Sequence, residues 1–589
     1  MPGIFGVIDT SPLFQTEEQR RDRVETVQKM SRAMRYEPFH SEVVIACPGV
    51  GACVGRVGFD EQNRQDEAGL DPHPVVLTTG EALPGLCEQS TFTRDVAMTP
   101  GHSSGFVSDP AAGRCFLFND RYGRERIFLH SEGGRIFFSS EAKAILAVVP
   151  QTRSFDPQGL AEMLACGCTL GTRSLFHGIE VLEAGTLVTF EKSGAVTRSR
   201  YFGPRDLEGL EPASDSQFLE GFVESLRVAV NKCTRNNPPV GISLTGGLDS
   251  RMIMASLRAP RGSVPCYTFG SMYRTSADVA VGRRVAACSG QPHHVLELGE
   301  DFLSSFERNI EQSVYVSDGY LGLSGAAELY VNRLARAVAP ARMTGNWGGE
   351  LMRGVRAFKY QMPKGAFVGP ELANGINASA AAFSTTSSNP ISNALFQQMP
   401  FQGYGRYAIE RSQVVMRSPF LADDVVTWLY RASPDLRASS VCTAAVIGQQ
   451  PGLLAIPSDL GRLGTRPALL RHASRRALIK AEYLTSHGAP DWVAKLSAGL
   501  PPTLVETRFL GVDKFQHFRH WIRRDLAEFV RETLLGTSGR YLERWFELPT
   551  VNRMVNDHID GRANHTDAID KLLTVAMAQK TLFKHFEGA

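Results

Sequence analysis

Nine residues, Ser243-Leu-Thr-Gly-Gly-Leu-Asp-Ser-Arg251, constrain this chain more than any other stretch. Pro239-Val-Gly-Ile-Ser-Leu244, an apolar run entered through Pro238-Pro239, reads as a buried strand. Ser250-Arg-Met-Ile-Met-Ala-Ser-Leu257 reads as the helix that follows. Between them, past Leu244, the residues Thr245, Gly246 and Gly247 supply one hydroxyl and two positions without side chains. Backbone N–H groups can therefore close around an anion, and the helix N-terminus adds its partial positive charge at the same point. Asp249 and Ser250 open the helix, and Asp249 stands where a carboxylate can hold Mg²⁺ against phosphate oxygens. The spacing predicts a phosphate site. It is not a P-loop, because the G-x-x-x-x-G-K-[ST] spacing and its lysine are missing. An ordinary glycine-rich turn is the alternative while the loop is considered alone.

The bulk properties narrow the setting. A chain of 589 residues is long enough for at least two hydrophobic cores. Its net charge is +2, without a long basic tract, so composition offers no argument for nucleic acid. Ten cysteines include no C-x-x-C pair, and Cys166-Gly-Cys168, the closest spacing, reads as two buried small residues. No leader-like segment opens the chain, and no apolar run reaches the roughly eighteen residues of a membrane helix. The expectation is a cytoplasmic enzyme with reduced thiols, binding neither nucleic acid nor membrane.

Patterning divides the chain in two, at 1–205 and 206–589. Glu42–Ala46, Pro74–Thr78, Arg114–Phe118, Arg135–Ser139 and Thr186–Phe190 read as strands in the first part. After Phe202-Gly-Pro-Arg205 a helical period takes over, with Phe218, Phe222, Leu226 and Val230 on one stripe. Val264–Phe269 is the next strand, and such alternation predicts a parallel sheet covered by helices. Residues 365–393, rich in Ala, Ser, Asn and Gly, read as a loop or insertion, and Trp521 to Phe583 as helical.

Met1-Pro-Gly-Ile-Phe-Gly-Val-Ile8 resembles the opening of class II glutamine amidotransferases, M-C-G-I-x-G, with Pro2 in the cysteine's place. Phe118-Asn-Asp-Arg-Tyr-Gly123 resembles their A-R-D-R-x-G, and Phe137-Phe-Ser-Ser-Glu-Ala-Lys143 their F-x-S-E-x-K. The loop resembles the S-G-G-x-D-S pyrophosphate loop of N-type ATP pyrophosphatases. Arg417-Ser-Pro-Phe-Leu421 and Val512-Asp-Lys-Phe515 resemble later motifs, so the chain is similar to asparagine synthetases and their relatives. The resemblance implies a two-domain α/β protein: an N-terminal αββα sandwich of the Ntn-hydrolase type, then a parallel-sheet ATP-pyrophosphatase domain. It implies ATP and Mg²⁺, with AMP moved onto a substrate carboxylate and pyrophosphate released. The acceptor is an amine or ammonia, a peptide or natural-product intermediate among the options, and a homodimer is left open. Asparagine synthesis from free ammonia, lasso-peptide-type cyclisation and a non-catalytic ATP-binding homologue are the alternatives.

The departures are specific. Pro2 offers no thiol, and neither Cys47 nor Cys53 can use its own α-amine as a base. Thr79 replaces an oxyanion-holding asparagine and Ser104 an aspartate that pairs with the glutamine amine, while Arg56 stands where an arginine clamps the glutamine carboxylate. In the second part, Thr344-Gly-Asn-Trp-Gly-Gly-Glu350 resembles S-G-x-G-x-D-E. Gly345 is kept there for close backbone approach, Gly349 replaces the aspartate that contacts a second Mg²⁺, and Glu350 is its substitute candidate. Asn346 and Val415 stand where relatives carry a glutamate or tyrosine, and neither can be a general base. Lys514 is the catalytic candidate, an ammonium to neutralise charge at phosphorus and at the acyl intermediate. Arg251 is a candidate for a phosphate or carboxylate, and Asp318 for a place near the substrate. His293-His294 is expected to be structural.

Overall fold

The computed structural model describes residues 2–10, 16–59, 75–80, 103–235, 238–356, 358, 360–363, 367–384, 389–458 and 515–587. Its first part contains strands β1 (Gly3–Asp9), β2 (His40–Cys47), β3 (Ala52–Phe59), β4 (Val76–Gly80), β5 (Ser103–Asp109), β6 (Arg114–Phe118), β7 (Phe128–Glu132), β8 (Arg135–Ser139), β9 (Glu180–Val181), β10 (Thr186–Glu191) and β11 (Val196–Arg200). They form two sheets, ordered β2-β3-β1-β8-β7-β9 and β11-β10-β6-β5-β4, and the pairs are antiparallel.

Alternation along β1 shows why the sheets stack. Ile4 and Ile8 pack with Phe138, Leu117, Val188 and Phe190 in the space between the sheets. Phe5 and Val7, on the opposite face, pack with Val27 and Met30 of the helix Glu17–Met34. A period of two thus sends one set of side chains to each layer. Thr16 caps that helix, and the Gln19 side chain returns a bond to the cap, closing a capping box. A second helical layer, over the other sheet, is not among the described residues.

The second part is built on β12 (Val240–Ser243), β13 (Cys266–Ser271), β14 (His293–Leu298), β15 (Ala341–Met343) and β16 (Val415–Arg417). The order is β14-β13-β12-β15-β16, every pair parallel. The chain winds outward from β12 to β14, then returns to the far side of β12 with β15. The winding direction therefore reverses between β12 and β15, and in open parallel sheets the crevice at the carboxyl end of such a pair receives ligands. The helix Asp215–Arg235 buries Phe218, Phe222, Leu226 and Val230 completely against this sheet.

The segment read as a loop over 365–393 contains a helix, Pro370–Ser384. Its partner is the helix Pro157–Cys166, and the contact is made by small residues. A Cβ on Gly375 would lie 2.7 Å from that of Ala161, and Gln158 donates to the Gly375 carbonyl at 3.2 Å. Leu372 and Ile376, one turn apart, are buried beside them, an apolar spacing that the surrounding Ala, Ser, Asn and Gly obscure.

The two parts share a buried charge cluster. Lys143, Glu141 and Asp318 are fully buried; the Lys143 ammonium lies 2.6 Å from Glu141 and 3.0 Å from Asp318. Burial alone would lower the Lys143 pKa, but Asp318 and Glu141 outweigh it and raise it. Asp318 also accepts from the backbone N–H groups of Ala142 at 2.8 Å and Lys143 at 3.2 Å, and from the Tyr404 hydroxyl at 2.8 Å. It therefore caps the helix Ala142–Val148 of the first part from within the second. The geometry gives Asp318 these protein partners in place of a position near substrate.

Removing one carboxylate from this cluster leaves Lys143 underpaired in a dry setting. Asp318→Asn should lower stability by about 3–5 kcal/mol, the cost of breaking a buried ion pair, and leave nucleotide affinity unchanged. Urea denaturation and calorimetric nucleotide titration check this; lost affinity with unchanged stability would return Asp318 to the substrate site.

Candidate functional site

The loop between β12 and the helix Leu248–Ser256 is held by its own polar groups. Thr245 donates its backbone N–H to the Ser250 hydroxyl at 3.2 Å, and Gly247 donates to the Thr245 hydroxyl at 3.3 Å. Gly246 donates to the Asp278 carboxylate at 2.7 Å, from the first turn of the helix Ala277–Cys288. Thr245, Gly246 and Ser250 thus form a compact turn at the carboxyl end of β12. Leu244 is buried behind it.

The turn after β15 presses on this one. A Cβ on Gly345 would lie 2.8 Å from the Ser250 nitrogen, and one on Gly348 would lie 2.8 Å from the Asp249 carboxyl carbon. Both spacings are below what a real Cβ tolerates, so glycine is required for the two turns to meet. Trp347, between them, adopts φ +76°, a left-handed conformation uncommon for a residue with a side chain. The Ser418 hydroxyl pins the turn by donating to the Asn346 carbonyl at 2.9 Å.

Asp249 is not poised as a bare carboxylate. The Arg353 Nη2 lies 2.9 Å from one of its oxygens and 2.8 Å from the other. Glu350 stands in the same field: burial raises its pKa, Asp249 raises it further, and Arg353 opposes the rise. Among the described residues no cluster of three or more His, Cys, Asp or Glu side chains could hold a metal ion. Glycine at 349 supplies no ligand, and both Asp249 oxygens face a guanidinium. These side chains do not form the paired carboxylates that suit a hard cation. In this structure Asp249 is a partner of Arg353.

The remaining candidates divide. Arg251 is buried and donates to the carbonyls of Ile456 at 2.5 Å and Pro457 at 3.3 Å, which ties down a neighbouring segment and directs it away from an anion. The Arg417 guanidinium donates to the Cys233 carbonyl at 2.7 Å, behind the sheet. His293 meets the Thr268 hydroxyl at 2.9 Å, a structural contact. Lys514 lies outside the described residues. Its neighbour Phe515 packs on Phe269 with ring centroids 5.5 Å apart, and His517 meets the Ser271 hydroxyl at 2.9 Å. Both contacts are at the carboxyl end of β13, the edge that carries the loop.

A residue no motif pointed to closes the pocket of the first part. Arg411, from the helix Gly403–Gln413, pairs with buried Glu125 and donates to the Pro2 carbonyl. It also donates to the Thr79 hydroxyl at 2.7 Å. Ser104 is buried and donates to Asn119 at 2.9 Å and to the Glu125 carbonyl at 2.7 Å. Pro2, Thr79 and Ser104, three positions that depart from the amidotransferase pattern, are thus in or next to one hydrogen-bonded cluster capped by a guanidinium. Burial pushes the thiols of Cys47 and Cys53 up to about 12 and about 11, so neither is a thiolate near neutral pH.

An antiparallel two-sheet sandwich is thus joined to a parallel sheet with a glycine-rich turn at its switch point. Residues 97–202 match the family model described as a glutamine amidotransferase domain, and residues 221–403 that described as asparagine synthase. Over these segments the chain is similar to asparagine synthetases. A putative glutamine-hydrolysing asparagine synthetase 2 of Methanocaldococcus jannaschii is 25% identical over 254 residues, 42% of this chain and 48% of that protein. The glutamine-hydrolysing asparagine synthetase 2 of Bacillus subtilis is 24% identical over 314 residues, 49% of this chain and 41% of that protein. That of Cricetulus griseus is 27% identical over 231 residues, 36% of this chain and 38% of that protein. The chain spans less than half the length of each of these curated relatives.

The contact between the two turns is testable by adding one methyl group. Gly345→Ala should push Asp249 and Ser250 away from the Gly345 turn and weaken ATP binding at least about tenfold, or 1.4 kcal/mol, while circular dichroism and the melting profile stay near wild type. Unchanged ATP affinity would remove this turn from the site.

Proposed function

We propose that this protein is an ATP-dependent ligase that adenylates a substrate carboxylate, releases pyrophosphate, and passes the acyl group to an amine or to ammonia without hydrolysing glutamine itself. The observation that carries the reading is the Thr245–Ser250 turn at the switch point of the parallel sheet, met by Gly345. The start of the helix Leu248–Ser256 points its partial positive charge at this turn, a setting that favours an anion. The family's ATP chemistry fits that place.

The acceptor nitrogen enters from outside in this reading. A glutaminase needs an activated thiol, and Pro2 has none. Arg411 occupies the ground between Pro2, Thr79 and Glu125, so a glutamine side chain meets a filled, neutralised cluster. The first part then serves as a scaffold whose Glu141 and Lys143 grip the second through Asp318. Lys514 is proposed to stabilise the negative charge that builds at phosphorus and at the tetrahedral acyl intermediate.

Turnover with a panel of carboxylates and ammonia or amines should yield AMP and pyrophosphate in equal amounts, and no glutamate from glutamine. ADP and orthophosphate as products would overturn the adenylation reading, and glutamate release above a heat-killed control would overturn the other half. Lys514→Ala should depress the rate about a hundredfold or more, the loss seen when one preorganised electrostatic donor goes, with nucleotide affinity nearly unchanged. Lys514→Arg should rescue poorly, because a planar guanidinium does not fit a compact ammonium's place. Wild-type turnover in the alanine variant would dismiss this role.

A further inference from the structure

Trp347 breaks a local rule beside the site. It falls on the second glycine of the S-G-x-G-x-D-E pattern that Thr344–Glu350 resembles. Its φ of +76° is one that glycine adopts freely and that a residue with a side chain adopts under strain. Among the described residues only Asp318 shares such a backbone without being glycine. Its surroundings hold Trp347 there. The indole is half-buried against Gly403, the first residue of the helix Gly403–Gln413. A Cβ on Gly403 would lie 3.3 Å from Trp347 Cζ2 and 3.4 Å from Cη2. Gly403 itself has helical φ −68° and ψ −23°, between helical neighbours, a setting in which glycine is a poor choice. What its bare backbone provides is a seat for the ring. The turn beside the ring is tied as well. Asn346 donates its N–H to the Thr344 hydroxyl at 3.2 Å, and Gly348 donates to the Gly345 carbonyl at 3.1 Å.

We propose that Trp347 and Gly403 are a pair of positioning residues for the nucleotide site: the indole, seated on Gly403, holds the Thr344–Gly348 turn against Asp249 and Ser250. This rests on the reading of the Thr245–Ser250 turn as a nucleotide phosphate site. A glycine at 347 reaches the same φ but many others too, so the turn could sample positions in which Gly345 and Gly348 stand off. Tryptophan has far fewer backbone alternatives, and its ring has this seat. The wall of the crevice is therefore formed before a ligand arrives, and binding does not bear the entropy of ordering it. Both residues act through the backbone of Gly345 and Gly348. Added Cβ atoms there would lie 2.8 Å from the Ser250 nitrogen and the Asp249 carboxyl carbon, so a small displacement of this turn is felt at the loop.

Calorimetric titration of the full chain with α,β-methylene ATP, run beside thermal melts, tests this. Gly403→Ala crowds the ring by one methyl group, and Gly403→Leu fills the seat. Affinity should fall in that order, by at least about tenfold for Gly403→Leu. Gly403→Ala should nevertheless melt at or above wild type, since alanine favours a helix over glycine. A merely structural role would not separate affinity from stability in this way. Trp347→Gly should also weaken binding. In the double variant Trp347→Gly/Gly403→Leu no ring is left to displace, so affinity should stay within about twofold of Trp347→Gly alone. Wild-type affinity in Gly403→Leu, or losses that multiply in the double variant, would overturn this inference and leave the nucleotide site standing. No binding by wild type would instead bring down the phosphate-site reading itself, and this inference with it.

Discussion

The contact on which the site depends is the one between two βα turns, at the carboxyl ends of β12 and β15. Parallel neighbours bring their turns to the same edge, but side chains normally keep the backbones apart. Here Gly345 and Gly348 let the second backbone settle onto Asp249 and Ser250. Everything else in the crevice follows from that approach: Trp347 is forced into a left-handed conformation, and the helix that carries Arg353 begins within reach of Asp249. Strand order decides where a ligand can sit, and the glycines decide what surface it meets.

The first part of the chain has a different logic. Its two-sheet sandwich meets the second part at buried polar contacts. Arg411 and Asp318, both from the second part, reach into the first at two buried points, one on Glu125 and one on Lys143. Each pair is dry, so each carries a desolvation cost that only good pairing offsets. Such pairs fix which surfaces meet more than they add stability. The second part supplies the first with a helix cap through Asp318 and with a salt bridge through Arg411.

Much of the frame was legible in the sequence. The strands β6 and β8 fall where alternation put them, and the strand–loop–helix around Thr245 to Ser250 follows from an apolar run broken by two glycines. What could not be read is pairing across long separations. Asp249 and Arg353 are 104 residues apart, and Glu125 and Arg411 are 286 apart. No spacing rule links them; only the order of strands brings them together. Arg251 shows the converse. Its position beside the loop suggested an anion partner, but the helix turns it inward to the Ile456 carbonyl. The helix Pro370–Ser384 escaped notice because Ala, Ser, Asn and Gly surround the two buried apolar residues, Leu372 and Ile376, that mark its inner face.

The central claim is that the turn after β12 holds the phosphates of a nucleotide cleaved between its α and β phosphorus atoms. A structure of the full-length protein with α,β-methylene ATP, which resists that cleavage, tests it most directly. The account predicts the β and γ phosphates at the Thr245–Ser250 turn, with the α phosphate facing the crevice beside Gly345. Density for the nucleotide at any other edge of the sheet, or phosphates turned away from this loop, would contradict it.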